Sequence, residues 1–111
     1  MSVFKKTSRL LKKADYDKVF AQANKVTTPE FIALFKKNQM GHARLGLVIS
    51  KKKIPKAHDR NKVKRQIREC FRKEQLPEFD IVFLAKFDVS NIGNHNIRES
   101  LGKIWSRLNR Y

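Results

Sequence analysis

The sequence predicts an α+β fold, a single sheet covered by helices, and three observations carry that prediction. Ile81, Val82, Phe83, Leu84 and Ala85 form a continuous apolar run between Asp80 and Lys86, the pattern of a strand buried on both faces. Two stretches repeat apolar residues at helical spacing, Val63, Ile67, Cys70 and Phe71 in one and Ile97, Leu101, Ile104, Trp105 and Leu108 in the other. The chain has 111 residues, enough for one domain with a modest core and too few for two. Few strands, three helices and a doubly buried strand make an α+β sandwich.

Taken in order, residues 1–13 are basic, with Lys5, Lys6, Arg9, Lys12 and Lys13 interleaved with Phe4, Leu10 and Leu11. A wholly free tail has no need of those apolar side chains, so this segment is expected to pack along the surface of the one domain, 1–111. Tyr16, Val19, Phe20 and Ala23 recur at i, i+3, i+4 and i+7 and give a first helix over residues 15–24. After a turn at Thr27, Thr28 and Pro29, residues 31–37 (FIALFKK) read as a strand. Asn38, Gln39, Met40, Gly41 and His42 then form a turn, bringing the chain back as an antiparallel hairpin into a strand over 44–52. Pro55 cannot donate to a ladder and marks a crossover. Asp59 is the expected N-cap of the second helix, which ends before Pro77. The turn-rich stretch 90–94 leads into the closing helix, where Trp105 lies on the apolar face as a packing anchor.

Charge points to the partner. Lys and Arg number 26 against 10 Asp and Glu, a formal net charge of +16, which favours nucleic acid or an anionic membrane surface. No run of about 18 apolar residues is present and the N-terminus lacks a signal-peptide core, so nucleic acid in the cytoplasm is the expectation. The charge concentrates in the segment 43–73, a strand, a basic loop and a basic helix in succession. Lys51, Lys52, Lys53 and Lys56 surround Pro55, and Arg60, Lys62, Lys64, Arg65, Arg68, Arg72 and Lys73 cover most of the helix outside its apolar stripe. Like charges at i, i+4 cost a few tenths of a kcal/mol each in an isolated helix, so this helix is not optimised for its own stability. A polyanion converts the repulsion into attraction.

The chemistry of an independent enzyme is missing from the pattern. A metal-dependent nuclease needs clustered carboxylates, whereas the acidic residues here are spaced singly and mostly flanked by lysine or arginine. Cys70 is the only cysteine and sits on an apolar stripe as a small hydrophobe. His42, His58 and His95 are far apart, with no zinc-ligand spacing. A sequence-specific DNA reader needs a short turn joining two helices, which is absent. A structural RNA-binding protein of ribosomal type shares the charge and fold and stays open on this evidence.

At Arg60, Asn61, Lys62, Val63, Lys64 and Arg65 (RNKVKR) the chain resembles the bacterial ribonuclease P protein component, whose signature is an Arg-Asn-Arg-x-Lys-Arg helix. The likeness extends over GLVISKK at 46–52, the AHD of Ala57, His58 and Asp59, the continuation through Ile67, Arg68, Glu69, Phe71 and Arg72, the DYDKVF of 15–20, and the closing helix with Trp105. Lys62 departs from the family's usual arginine and replaces a planar fork with a flexible point charge. The resemblance implies a two-layer α/β sandwich like ribosomal protein S5 domain 2, with a left-handed βαβ crossover containing the basic helix. It implies the non-catalytic protein component of an endoribonuclease that removes 5′ leaders from precursor tRNA, with catalytic groups and most Mg²⁺ on the RNA. The catalytic RNA would be bound by Lys51, Lys52, Lys53, Lys56, Arg60, Asn61, Lys62, Lys64, Arg65, Arg68 and Arg72. The leader would lie between the first helix and the sheet, against Tyr16 and Phe20, with Phe31, Phe35 and Val48 on the sheet side. From spacing alone, Tyr16 and Phe20 also fit an ordinary core stripe.

Overall fold

The computed structural model describes Arg9 and residues 12–111, so most of the expectation for the basic N-terminal segment lies outside the described residues. Arg9 forms an isolated parallel bridge with Leu45. The elements are α1 (Lys13–Gln22), β1 (Asn24–Thr27), β2 (Phe31–Lys37), β3 (Arg44–Val48), α2 (Ala57–Phe71), β4 (Phe79–Ala85), a 3₁₀ turn (Val89–Asn91) and α3 (Asn94–Leu108).

The sheet order is β1-β2-β4-β3, which corrects the expected hairpin. β2 and β3 are not neighbours; β4 lies between them, antiparallel to β2 and parallel to β3. β4 is the strand most buried on both sides, and the centre of a sheet is the place for such a strand. Its parallel pairing with β3 requires a long crossover, which α2 supplies. β1 was not anticipated: it is four residues long and buries only Val26, too little to show a period.

Strand register sorts the side chains. Phe31, Ala33 and Phe35 pair with Ala85, Phe83 and Ile81, and Leu45 and Leu47 pair with Ile81 and Phe83. Paired residues share a face, and this face meets α2 and α3 through Val63, Ile67 and Phe71 and through Ile97, Leu101, Ile104, Trp105 and Leu108. Trp105 stands edge-on to Phe83 at 5.3 Å and to Phe71 at 6.1 Å between ring centroids. The other face carries Leu34, Val82 and Leu84, where Val19 of α1 is buried against Val82. The α2 N-cap position is Lys56; Asp59 lies inside the first turn, where its carboxylate meets the positive end of the helix dipole.

Candidate nucleic-acid interface

The burial of Val63, Ile67 and Phe71 fixes which way the rest of α2 points. Asn61, Arg65, Arg68 and Arg72 are exposed, and Arg60, Lys62 and Lys64 are half-buried along the margins. Lys51, Lys52, Lys53 and Lys56 are exposed on the loop before the helix. That loop is anchored: Ile54 is 0% exposed, and its N–H donates to the Ser50 carbonyl at 3.0 Å. The Lys53 N–H donates to Ser50 Oγ at 3.2 Å. Arg60 closes the join, its Nη1 donating to the carbonyls of Ile54 at 2.9 Å and Pro55 at 2.8 Å. Arg60 is therefore partly a strut, holding the lysine loop beside the helix.

Among the described residues, no carboxylate lies within ion-pair distance of any lysine or arginine of α2 or of this loop. A solvated helix in an ordinary domain mixes both signs and pairs them at i, i+4. Here Asp59 and Glu69 are the only acidic residues on α2, and among the described residues no ion pair offsets the repulsion. Such a surface displaces counterions from a phosphate backbone and gains affinity that falls steeply with salt.

The α1 face has a different construction. The Tyr16 ring lies so close over the β3 backbone that a Cβ at residue 46 would stand 2.7 Å from Tyr16 Cε1, so Gly46 is what lets the ring settle there. Phe20, one turn further on, is 46% exposed, and Val48 is 37% exposed. Simple core packing accounts for Val19 but not for an aromatic ring left half in water. The sheet side of this cleft needs correcting. Phe31 and Phe35 are 0% exposed and belong to the α2/α3 core, because the period-two alternation of β2 turns them away from α1. The β2 positions facing α1 are Ile32, Leu34 and Lys36. Residues 31–35 are apolar at both parities, so the sequence held no signal for which set faces which helix.

A polar network seats α1 on the sheet, and sequence reasoning missed it. Arg44 Nε donates to Asp80 Oδ1 and Nη2 to Asp80 Oδ2, both at 2.8 Å, while Nη2 also reaches Asp15 Oδ1 at 3.4 Å. Asn38 Nδ2 donates to Asp80 Oδ1 at 2.8 Å and to the His42 carbonyl at 3.1 Å. The hydrogen bond to Asp80 raises the Arg44 pKa further, against the opposing effect of burial, so the guanidinium is permanently charged. Arg44 and Asp80 are cross-strand partners, 36 residues apart in sequence.

Among the described residues, no group of three or more His, Cys, Asp or Glu side chains is placed to hold a metal ion, and no helix is long and apolar enough to cross a membrane. The model of the family described as ribonuclease P matches residues 4–109, nearly the whole chain. The chain belongs to the ribonuclease P protein family. Within that family it is 52% identical over 108 residues to the ribonuclease P protein component of Legionella pneumophila strain Corby, covering 97% of this chain and 95% of the relative. The Proteus mirabilis strain HI4320 component is 42% identical over 106 residues, covering 94% and 89%. Among solved structures, the Staphylococcus aureus RNase P protein superposes with a TM-score of 0.83 at 30% identity, covering 92% of this chain and 97% of that one. The Thermotoga maritima RNase P protein gives 0.79 at 34%, covering 89% and 96%. The ribonuclease P protein fold is thus shared over about nine-tenths of the chain.

Proposed function

We propose that this chain is the protein subunit of ribonuclease P, acting in the cytoplasm on the 5′ ends of precursor tRNA while the partner RNA performs the cleavage. The observation that carries the reading is the unpaired cationic surface of α2 and its anchored loop, in a chain of this family. Lys51, Lys52, Lys53, Lys56, Arg60, Asn61, Lys62, Lys64, Arg65, Arg68 and Arg72 bind the catalytic RNA. Most of these contacts go to phosphates, so they position the RNA without reading its sequence. The single-stranded leader lies on the α1 face, where Tyr16 and Phe20 offer ring surfaces on which any base can stack. Val48 and the half-buried Ile32 and Leu84 form the sheet side of that cleft. Among the described residues no side chains gather a cation site, and in this reading the RNA holds the Mg²⁺. By lowering the repulsion between substrate and catalytic RNA, the basic surface reduces the Mg²⁺ the RNA needs.

The test is leader removal from a precursor tRNA by a bacterial catalytic RNA at low and high Mg²⁺, with and without the protein, and with the protein alone. Rescue at low Mg²⁺ and no cleavage by the protein alone are the expected results. Tight RNA binding without rescue would overturn the proposal in favour of a structural RNA-binding role.

A further inference from the structure

Helix α1 divides its face of the sheet into two flanks. At about 100° per residue, Tyr16 and Phe20 fall on one side of the buried Val19, and Asp15, Lys18 and Gln22 on the other. The contacts agree: Tyr16 covers Gly46, whereas Gln22 Oε1 accepts from Lys36 Nζ at 3.1 Å. On that second flank, between α1 and the Asn38–Met40 turn, the surface encloses a cavity of about 470 Å³. Its rim carries Lys12, Lys18, Lys36 and Lys37, and its base is Arg44 with Asp15 and Asp80.

Four properties make this cavity more than a group of solvated lysines. Lys12, Lys18 and Lys36 come from separate elements and border one concavity, with Lys37 at its edge where it also borders the neighbouring pocket, and low-dielectric walls focus their field. Both carboxylates that line the cavity are paired with Arg44: the oxygens of Asp80 accept from Nε and Nη2 at 2.8 Å, one also from Asn38, and Asp15 Oδ1 lies 3.4 Å from Nη2, so the lysines of the rim leave the cavity cationic. Lys12, Lys18 and Lys37 have no ion-pair partner among the described residues. The turn that closes the cavity is also fixed, because Asn38 Oδ1 accepts from the Met40 N–H at 2.8 Å and Gln39 is held at φ 61°.

We infer that this flank of α1 is a second RNA site, a pocket for backbone phosphate held by Lys18, Lys36 and Lys37 and separate from both α2 and the aromatic flank. The inference rests on the RNA-binding role proposed above. The phosphate belongs either to the precursor leader beyond the aromatic cleft or to the catalytic RNA.

The experiment uses the full chain with Lys18→Gln, Lys36→Gln and Lys37→Gln combined; Lys18→Gln with Lys37→Gln, which keeps the Lys36–Gln22 hydrogen bond, serves if the triple variant does not fold. Affinity is measured against salt for the catalytic RNA alone, and for holoenzyme binding a precursor with a long leader or the same precursor trimmed to one leader nucleotide. Loss of three phosphate contacts at about 0.7 each lowers the slope of log K against log salt by about 2 and weakens binding on the order of tenfold. A loss confined to the long-leader precursor assigns the phosphate to the leader, and a loss on the catalytic RNA assigns it there. A folded variant with unchanged slopes and affinities for every RNA overturns the pocket. If the unmodified protein itself fails to restore cleavage at low Mg²⁺, it is the subunit reading that falls; if it restores cleavage and the lysine variant binds identically, only the pocket does.

Discussion

On the α2/α3 face of the sheet, Phe31, Phe35 and Phe83 are 0% exposed and Trp105 is 3% exposed, whereas on the α1 face Phe20 and Val48 remain 46% and 37% exposed. The first face is closed by two helices of 15 residues each with continuous apolar stripes. The second is crossed by one helix of 10 residues that buries Val19 alone. The difference separates the face that supplies most of the packing from the face on which leader binding is proposed. Aromatic packing on the closed face holds the sheet, which leaves the open face free to keep aromatic surface in water. Because α1 has only Val19 fully buried against the sheet, its seat is completed by the Tyr16–Gly46 contact and by Arg44 between Asp15 and Asp80.

The largest expected effect comes from emptying the closed face. Phe83→Ala removes a ring packed against Phe31 and Trp105 and should cost about 3–5 kcal/mol in urea denaturation. A cost near that of a surface substitution would mean that the two faces are not so different. Gly46→Ala comes next. Its methyl group displaces the Tyr16 ring, an overpacking penalty of about 1–3 kcal/mol, and tilts α1 away from the leader cleft, so leader affinity should fall together with stability. Phe20→Ala separates the two roles. Stability should change by less than about 1 kcal/mol, as at surface sites. Leader binding should still weaken by about 1–3 kcal/mol, the value of one base stacked on an aromatic ring. Equal affinities for long-leader and trimmed precursors in wild type and Phe20→Ala would return Phe20 to the status of an incidental exposed residue.

How far the sequence revealed this depended on whether a feature was local. The α3 stripe was legible because Ile97, Leu101, Ile104, Trp105 and Leu108 repeat over the whole helix, and all five are buried. β4 was legible because an unbroken apolar run leaves no face for water. The basic face of α2 could be read as the complement of its apolar stripe. Strand order was not legible: the turn chemistry of residues 38–42 signals a change of direction, but it carries no information about a strand arriving later between the two it joins. The Arg44–Asp80 pair and the seat of Tyr16 on Gly46 are products of register, so Gly46 in the sequence was one more residue in an apolar run. Phe31 and Phe35 were assigned to the wrong face for a related reason, since their alternates Ile32 and Leu34 are equally apolar.

The smallest expected effect lies at the rim of the closed face and distinguishes it from the open one by pH. Burial against the α2/α3 core pushes the Cys70 thiol pKa up, with Lys73 and Arg98 opposing less strongly. The folded chain therefore holds this proton more tightly than the unfolded chain. Stability from that preference is fully present below the unfolded thiol value and is lost as pH rises through the folded one. On the open face, the raised pKa of Arg44 has the same sign, but its window lies above any pH at which the protein is handled, so the α1 seat is constant over the range. Thermal midpoints under reducing conditions should fall faster with rising pH in the wild type than in Cys70→Ala once the thiol range is entered, and the two curves should run parallel below it. Curves that stay parallel throughout would show that Cys70 is solvated as freely in the folded chain as in the unfolded one, and that the closed face opens to water sooner than its aromatic packing implies.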